Sequence, residues 1–333
     1  MTHKINYLLL ACLVALPMLA PQSISAQQKT SVKIPVIFDT DFGPDYDDVG
    51  AIALLHAFAD SGYIRILATV ASCKHKNAAA ALSVFNTYFK RPGIPVGIVK
   101  GRAVDIPDWQ HWTDTVIARY PHSIQSNEEV PDAIAVYRRQ LAKEQDHSVV
   151  VITVGFLTNL ANLLQSPPDT ISPLSGMDLV KKKVKQLVSM AGKFPGGWEF
   201  NVMKDAPSSK LVFANWPTPV IFSGFEIGSK IHCGLPLVHN EAVHHDPVKD
   251  VFALCIPKAK EDSAGRMSWD ETAVLIAVKG WERYYTLVPG KFVCSTEGAN
   301  SWDGAAGGQY YIKEKIPAGQ VQAIIDRLIR HQP

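Results

Sequence analysis

Several patterns that mark whole classes of protein are missing from this 333-residue sequence. It has five cysteines and no Cys-x-x-Cys pair, which argues against a zinc site but permits disulfides in an oxidising compartment. Its basic residues form one cluster only, Lys181–Lys183 with Lys185, so we expect no nucleic-acid partner. Beyond the N-terminal segment no window holds the roughly 18 apolar residues of a membrane span, and we expect none.

The composition that is present describes a globular protein with a large core. Hydrophobic residues make up 47% of the chain and charged residues 19%, with 33 basic against 31 acidic side chains. This balance argues against disorder and against a fibre. Length alone favours two domains of roughly 150 residues, but α/β folds often run to about 250 residues or more as one unit. We predict a single domain over residues 27–333.

The N-terminus has the pattern of a signal peptide. Lys4 supplies a positive charge, Leu8–Ala20 is an apolar run, and small residues around Ala26 favour cleavage there. We therefore predict a signal peptide over residues 1–26 and export to the periplasm or the medium. A lipoprotein signal at Leu9–Cys12 is the alternative, but it would leave most of the apolar run on the mature protein.

Short β-branched runs alternate with longer periodic or alanine-rich segments. The alternation predicts an α/β fold: a mainly parallel open sheet with helices on both faces and a Rossmann-like core. Ligands bind such sheets beyond the carboxyl ends of the strands. The loop-rich stretch Gly101–Val130 is predicted to be a binding lid. The predicted strands are Ile34–Asp39, Ile64–Ala71, Val96–Lys100, Ser148–Val154, Gln186–Ala191 and Pro219–Ser223. The predicted helices are Asp47–Asp60, Asn77–Phe89, Pro131–Glu144, Leu157–Gln165, Ala206–Ala214, His245–Ala253, Asp270–Val278 and Gly319–Ile329.

The first predicted strand ends in five carboxylates within ten residues, namely Asp39, Asp41, Asp45, Asp47 and Asp48. So many charges are stable together only if a cation or strong donors neutralise them. A helix cap at Asp47 and a turn at Asp45 would explain two of the five. Oxygen ligands alone favour Ca²⁺ or Mg²⁺ over zinc.

Three kinds of metal-binding protein have an acidic segment of this sort. A helix-loop-helix calcium loop starting at Asp39 needs Gly and Glu where this chain has Pro44 and Gly50, so it is excluded. A haloacid dehalogenase-type Mg²⁺ phosphatase also begins with Asp-x-Asp, although Phe42 departs from its usual continuation, and it stays an alternative. The third is a resemblance: the segment resembles the Asp-x-Asp-x-Gly-x-Asp-Asp signature of the inosine-uridine nucleoside hydrolases, with two extra residues before Asp47.

The resemblance continues in the same order along the chain. Val151–Leu160 is similar to the family's strand followed by Gly-x-Leu-Thr-Asn, and Ala191–Gly192 with Glu199–Asn201 resembles its sugar-binding segment. Trp269–Asp270, at a predicted helix start, resembles its last metal position. The whole pattern resembles a divergent exported branch of the family.

This resemblance implies Ca²⁺-dependent hydrolysis of the N-glycosidic bond of ribonucleosides to free base and ribose. It implies that Asp41 binds the ion and acts as general base on its water, and that Asp48 chelates the ion. Asp270 and the backbone carbonyl of Val154 would complete the metal ligands. The family's habit also implies a homo-oligomer, a dimer or a tetramer.

The resemblance also implies which residues bind the substrate and which orient the metal ligands. Asp47, Glu199 and Asn201 would bind the ribose hydroxyls, and Asp39 would orient the metal ligands. Asp45 has no counterpart, because it belongs to the two-residue extension.

The residues expected near the departing base differ from those of the best-known relatives. Many have His where this chain has Trp269, whereas the purine-specific branch has Trp, so Trp269 favours a purine nucleoside unless it is a core residue. Trp109, Trp112 or Trp198 would stack on the other face of the base. Cys73 stands where relatives have Asn near the ribose.

Two further points stay open. Lys193 replaces another Asn of the family and would meet the sugar or face solvent. The same fold and metal site could also bind or cleave another sugar-like ligand without nucleosidase activity, which is the second functional alternative.

Overall fold

The computed structural model describes residues 1–3, 33–305 and 307–333. The predicted signal peptide therefore lies, except for its first three residues, outside the described residues, and so does its boundary with the domain. The strands are β1 Ile34–Thr40, β2 Ile64–Ala71, β3 Val96–Ile98, β4 Val149–Thr153, β5 Val184–Met190, β6 Gly196–Trp198, β7 Val220–Ser223, β8 His232–Cys233, β9 Arg266–Met267, β10 Tyr285–Cys294, β11 Ala299–Asp303 and β12 Gln309–Glu314.

Helices connect most of these strands. The α-helices are α1 Asp47–Asp60, α2 Ala78–Tyr88, α3 Trp112–Arg119, α4 Ala133–Lys143, α5 Thr158–Gln165, α6 Gly176–Lys183, α7 Phe200–Lys204, α8 Ala206–Asn215, α9 Phe225–Gly228, α10 Leu235–Val238, α11 Pro247–Cys255, α12 Trp269–Lys279 and α13 Ala318–Ile329. Short 3₁₀ turns lie at Asn127–Glu129, Ile256–Lys258 and Lys260–Asp262.

One ten-stranded sheet organises the chain, in the order β3-β2-β1-β4-β5-β7-β12-β10-β11-β6. Neighbours from β3 through β12 are parallel, and β10, β11 and β6 continue the sheet antiparallel. A second small sheet joins β8 to β9. The predicted mainly parallel sheet is confirmed.

Both faces of the sheet are covered, because successive residues of a strand point to opposite sides. In β1, Val36 and Phe38 pack into a hydrophobic cluster with helices α1, α12 and α13. Ile37, between them, packs into a second cluster with residues of α4, α5 and α8. β1 is therefore buried on both sides, which explains its continuous apolar sequence.

The sequence missed several polar or interrupted elements. Gly101–Val130 was expected to be a loop-rich lid, but it contains the helix α3. Trp112 at the start of that helix is fully buried, and its indole N–H donates to the backbone carbonyls of Gly43 and Asp45. This segment is thus anchored on the acidic segment after β1.

The structure bears on two expectations from the sequence, the permitted disulfides and the lack of a membrane span. Cys73, Cys233, Cys255 and Cys294 are free thiols, so no disulfide joins them. Among the described residues, none of the helices is both long and apolar enough to cross a membrane.

Candidate active site

The acidic segment lies where β1 ends, beside the end of β4. β2 lies on one side of β1 and β4 on the other, a reversal of strand order that opens a crevice at the carboxyl ends of the strands. A cavity of about 260 Å³ lies there. It is lined by Asp41, Asp45, Asp47, Asp48, Val154, Met190, Glu199, Phe200, Asn201, Phe225, Glu261, Arg266, Met267, Trp269 and Asp270.

The fold brings almost all of the proposed site residues to this one cavity, although they come from four separate parts of the chain. The residues proposed as base, metal ligands and substrate contacts all line it: Asp41, Asp47, Asp48, Val154, Glu199, Asn201, Trp269 and Asp270. Asp39 is fully buried and does not line it.

Three buried carboxylates lie close enough to share a metal ion. One oxygen from each of Asp47, Asp48 and Asp270 lies within 4.8 Å of the others. Burial, together with the neighbouring carboxylates, raises the pKa of Asp47 and Asp270 well above the usual value, and burial raises that of Asp48 to about 7. A bound hard cation would remove this repulsion, so the donor set fits a divalent ion with oxygen ligands.

Asp41 lines the same cavity, although it does not belong to this group of three. Burial, and then the charge of Asp48, raises its pKa well above the usual value. The thiol of Cys73 donates to the backbone carbonyl of Asp41 at 3.3 Å. Gly155 allows the end of β4 to approach closely, since a Cβ there would lie 2.3 Å from the Asp41 nitrogen.

Asp39 supports the site from inside the core. Its carboxylate accepts hydrogen bonds from the Tyr137 hydroxyl at 2.8 Å and the Asn159 amide at 3.1 Å. Burial outweighs these bonds and raises its pKa to about 7. The backbone carbonyl of Asp39 also accepts from the Val154 nitrogen at 2.8 Å, which ties the ends of β1 and β4 together.

Glu199 and Asn201 have structural contacts that the sequence did not predict. The Glu199 carboxylate caps α7 by accepting from the backbone nitrogens of Asn201 and Val202, at 2.8 and 3.2 Å. It also accepts from the nitrogen of Gly192 at 3.0 Å. The Asn201 amide donates to the Val154 carbonyl at 2.8 Å, the same carbonyl that was expected to bind the metal.

Arg266 is a member of the site that the sequence analysis missed. Its Nη2 donates to the carboxylates of Asp45 and Asp47, the latter at 3.0 Å, and its Nη1 donates to Asp262 at 3.4 Å. The side chain is only 9% exposed. The sequence feature that could have indicated it is a basic residue only three positions before Trp269 and close to Asp270, the predicted metal ligand.

Aromatic side chains line the outer part of the cavity. Trp269 donates its indole N–H to the backbone carbonyl of Phe225 at 2.8 Å, and the two rings stack with centroids 5.4 Å apart. Phe200 also lines the cavity. The expected second tryptophan is not there: Trp112 is buried, and the exposed Trp109 and Trp198 do not line it. Lys193 does not line it either and lies with its Nζ 5.5 Å from the Phe225 ring.

Glu271, next to Asp270 in the sequence, is buried, and its carboxylate has no partner among the described residues. Neither of its carboxylate oxygens has a hydrogen bond within the part of the chain that the structure describes. Burial raises its pKa well above the usual value, and the charge of Asp47 adds to the shift. Gly50 on α1 makes room for it, since a Cβ there would lie 1.9 Å from Glu271 Oε1.

Comparison with known proteins gives a family match and a set of similar structures. A family model described as inosine-uridine preferring nucleoside hydrolase matches residues 36–314. A search of curated proteins gave no match.

The solved structures that resemble the chain share its fold at low sequence identity. A purine-preferring ribonucleoside hydrolase from Gardnerella vaginalis is 15% identical with a TM-score of 0.68, over 89% of this chain and 99% of that one. A plant nucleoside hydrolase is 17% identical with a TM-score of 0.67, over the same shares. The type III effector protein XopQ, in complex with adenosine diphosphate ribose, is 14% identical with a TM-score of 0.62, over 90% of this chain and 94% of that one.

Proposed function

Because the chain belongs to the inosine-uridine preferring nucleoside hydrolase family, a family of N-glycosidic hydrolases, we propose that it cleaves purine ribonucleosides with a bound Ca²⁺ ion. The observation that carries the proposal is the single cavity where Asp47, Asp48 and Asp270 meet beside Asp41. The phosphatase alternative receives no support from the comparisons.

The carboxylates account for the metal part of the proposal. Asp48 and Asp270 would hold the ion, and Val154 lines the same cavity, with its carbonyl accepting from the Asn201 amide. When bound, Ca²⁺ lowers the pKa of a water ligand and draws the ribose hydroxyls and that water together.

Asp41 would carry out the proton transfer. Its carboxylate accepts a proton from the water that attacks C1′ of the ribose, while the C1′–N bond breaks and its electron pair leaves with the base. A carboxylate beside C1′ also stabilises the positive charge that develops on the sugar. The Cys73 thiol and the close approach of Gly155 would hold the backbone of Asp41 in position.

The ribose and the base would occupy opposite parts of the cavity. Asp47 and Asn201 bind ribose hydroxyls, and the buried Glu199, fixed by backbone donors, adds an acceptor. No histidine lines the cavity among the described residues, so we assign the leaving group to the aromatic side. Stacking of a purine on Trp269 or Phe200 would make the base a better leaving group.

The first test is release of free base and ribose from a panel of purine and pyrimidine nucleosides, with and without chelator. We expect chelator-sensitive cleavage of purine nucleosides, and a loss of about 10² to 10⁴ in kcat for Asp41→Asn because the proton acceptor is gone. Asp105→Asn, at an exposed position away from the cavity, is the matched control and should behave like the unaltered protein.

The outcomes of this panel separate the alternatives. Cleavage that persists in Asp41→Asn would contradict the assigned base. Tight Ca²⁺ binding with no cleavage of any nucleoside would replace the proposal with binding or cleavage of another sugar-like ligand.

We also propose that the protein is exported and forms a homo-oligomer, as the N-terminal pattern and the family resemblance suggest. The mature N-terminus, expected near residue 27, is checked by mass spectrometry of the protein recovered outside the cytoplasm. Light scattering measures the oligomeric state, and a monomer would contradict the proposed homo-oligomer.

A further inference from the structure

The cavity carries one basic side chain against seven acidic ones among its described lining residues. The basic one is Arg266. The acidic ones are Asp41, Asp45, Asp47, Asp48, Glu199, Glu261 and Asp270. A single buried guanidinium in such surroundings has a large effect on its neighbours, because charges interact strongly where water is excluded.

Arg266 is held on several sides. Besides its bonds to Asp45 and Asp47, it donates to Asp262, which is fully buried and also accepts from the Tyr46 hydroxyl. The guanidinium carbon lies 4.7 Å from the centre of the Tyr46 ring. The planar group is therefore fixed both in position and in orientation.

The two-residue extension of the acidic segment provides much of this support. Asp45 and Tyr46, the residues before Asp47, both contact Arg266. The backbone carbonyl of Asp45 accepts from the Trp112 indole at 3.1 Å, which holds the extension in place. The extension and Arg266 thus form one structural unit. Of the three neighbouring carboxylates Asp47, Asp48 and Asp270, it contacts Asp47.

We propose that Arg266, anchored by Asp45, is a positioning residue that holds Asp47 for the substrate and limits its use as a metal ligand. Arg266 occupies Asp47 Oδ1, and the other oxygen of Asp47 is left for a ribose hydroxyl, while Asp48 and Asp270 hold the ion. The substrate half of this inference, that Arg266 holds Asp47 for a ribose hydroxyl, rests on the proposed nucleoside cleavage. The metal half, that Arg266 limits metal binding by Asp47, rests only on the proposed Ca²⁺ site.

Removal of Arg266 should therefore strengthen the binding of the metal ion and weaken the binding of the nucleoside. Without it, Asp47 is free to turn towards the ion, and one positive charge near the ion is lost. A purely structural role for Arg266 would predict the contrary, namely that both metal and substrate bind more weakly.

Calorimetric titration of the full protein with Ca²⁺ tests the metal half without any need for turnover. We expect Arg266→Met to bind Ca²⁺ at least about fivefold more tightly, and Asp45→Asn to bind it about threefold more weakly because Arg266 then bonds to Asp47 alone. Glu261→Gln removes the same charge from the cavity, and Glu261 is not among the hydrogen-bond partners of Arg266 in the described residues. It should change Kd less than about twofold.

Steady-state kinetics test the substrate half. For Arg266→Met we expect a raised KM, a smaller change in kcat, and at least about a fivefold loss of discrimination between a ribonucleoside and its 2′-deoxy or 3′-deoxy form. Arg266→Lys keeps the charge but not the fork, so it should retain Ca²⁺ affinity within about twofold while losing the discrimination. Thermal unfolding shows whether Arg266→Met folds. If it does not, the same measurements on Arg266→Lys and Asp45→Asn test the inference.

Two results would overturn the inference. One is weaker Ca²⁺ binding by a folded Arg266→Met, and the other is unchanged discrimination in both Arg266 variants. If the unaltered protein cleaves no nucleoside while the Ca²⁺ affinities shift as expected, the proposed function fails and the metal half of the inference stands.

Discussion

Burial controls the carboxylates of this site more than any single hydrogen bond does. Asp39 accepts bonds from Tyr137 and Asn159, and each bond favours its charged form, yet burial raises its pKa to about 7. At Asp47 and Asp270, neighbouring negative charges add to the same effect. The folded protein without a cation therefore holds protons that its unfolded chain has already lost at the same pH.

This difference predicts the pH dependence of stability. The ordinary pKa of aspartate is 3.8, so between about pH 4 and 7 the unfolded chain binds fewer protons than the folded one, and stability falls as pH rises. With chelator present, Tm should decrease from pH 5 to pH 8, and saturating Ca²⁺ should remove most of the decrease. Differential scanning calorimetry measures both series.

Asp39→Asn is the control for that prediction, because it removes a group with a raised pKa that does not belong to the three neighbouring carboxylates Asp47, Asp48 and Asp270. Its Tm should fall less steeply with pH in chelator. If, in chelator, the Tm of the unaltered protein fell no more between pH 5 and pH 8 than that of Asp39→Asn, the raised pKa of Asp39 would be contradicted.

At the scale of elements, the packing of two helices brings together the three carboxylates proposed to bind the metal. α1 begins at Asp47 and α12 begins at Trp269, and the two helices pack against each other. Their N-terminal ends, where backbone N–H groups favour negative charge, therefore bring Asp47, Asp48 and Asp270 together. Thirteen residues of α1 are buried, so this helix cannot shift without disturbing the core.

The contact between Gly50 and Glu271 tests this packing. Gly50→Ala should lower the free energy of unfolding by about 1 to 3 kcal/mol, because the added methyl meets the buried Glu271 side chain. In a Glu271→Ala background the same change should be neutral or should stabilise by up to about 1 kcal/mol, since Ala favours a helix over Gly. Urea unfolding of the four proteins gives the coupling, and an equal effect in both backgrounds would disprove the contact.

Elements with a continuous apolar or periodic sequence were predictable, and the others were not. α1 and β2 have the bounds expected from the sequence, because a clear stop in the pattern marks each end. β10 was missed because Pro289 and Gly290 interrupt it, and α3 because it is only eight residues long and half of them are polar. Arg266 was missed because its role depends on partners more than 200 positions away in the sequence.

At the scale of the whole molecule, the two parts of the sheet have different roles. The parallel part supplies the strand ends that carry Asp41 and Val154. The antiparallel part supports the segment before Glu199: the Asn300 side chain in β11 accepts from the Lys193 nitrogen at 2.9 Å and donates to its carbonyl at 2.8 Å. The family resemblance gave the residues of the site in order, but only the folded sheet explains why they meet.

The excess of acidic side chains in the cavity also acts as an electrostatic filter on what enters. Even with a divalent cation bound, a phosphate group would meet more negative than positive charge there, whereas an uncharged nucleoside pays no such penalty. A nucleoside 5′-monophosphate should therefore be cleaved at least about tenfold more slowly than its nucleoside, and equal rates would contradict this. The protein would then depend on a preceding phosphate-removing reaction for its substrate.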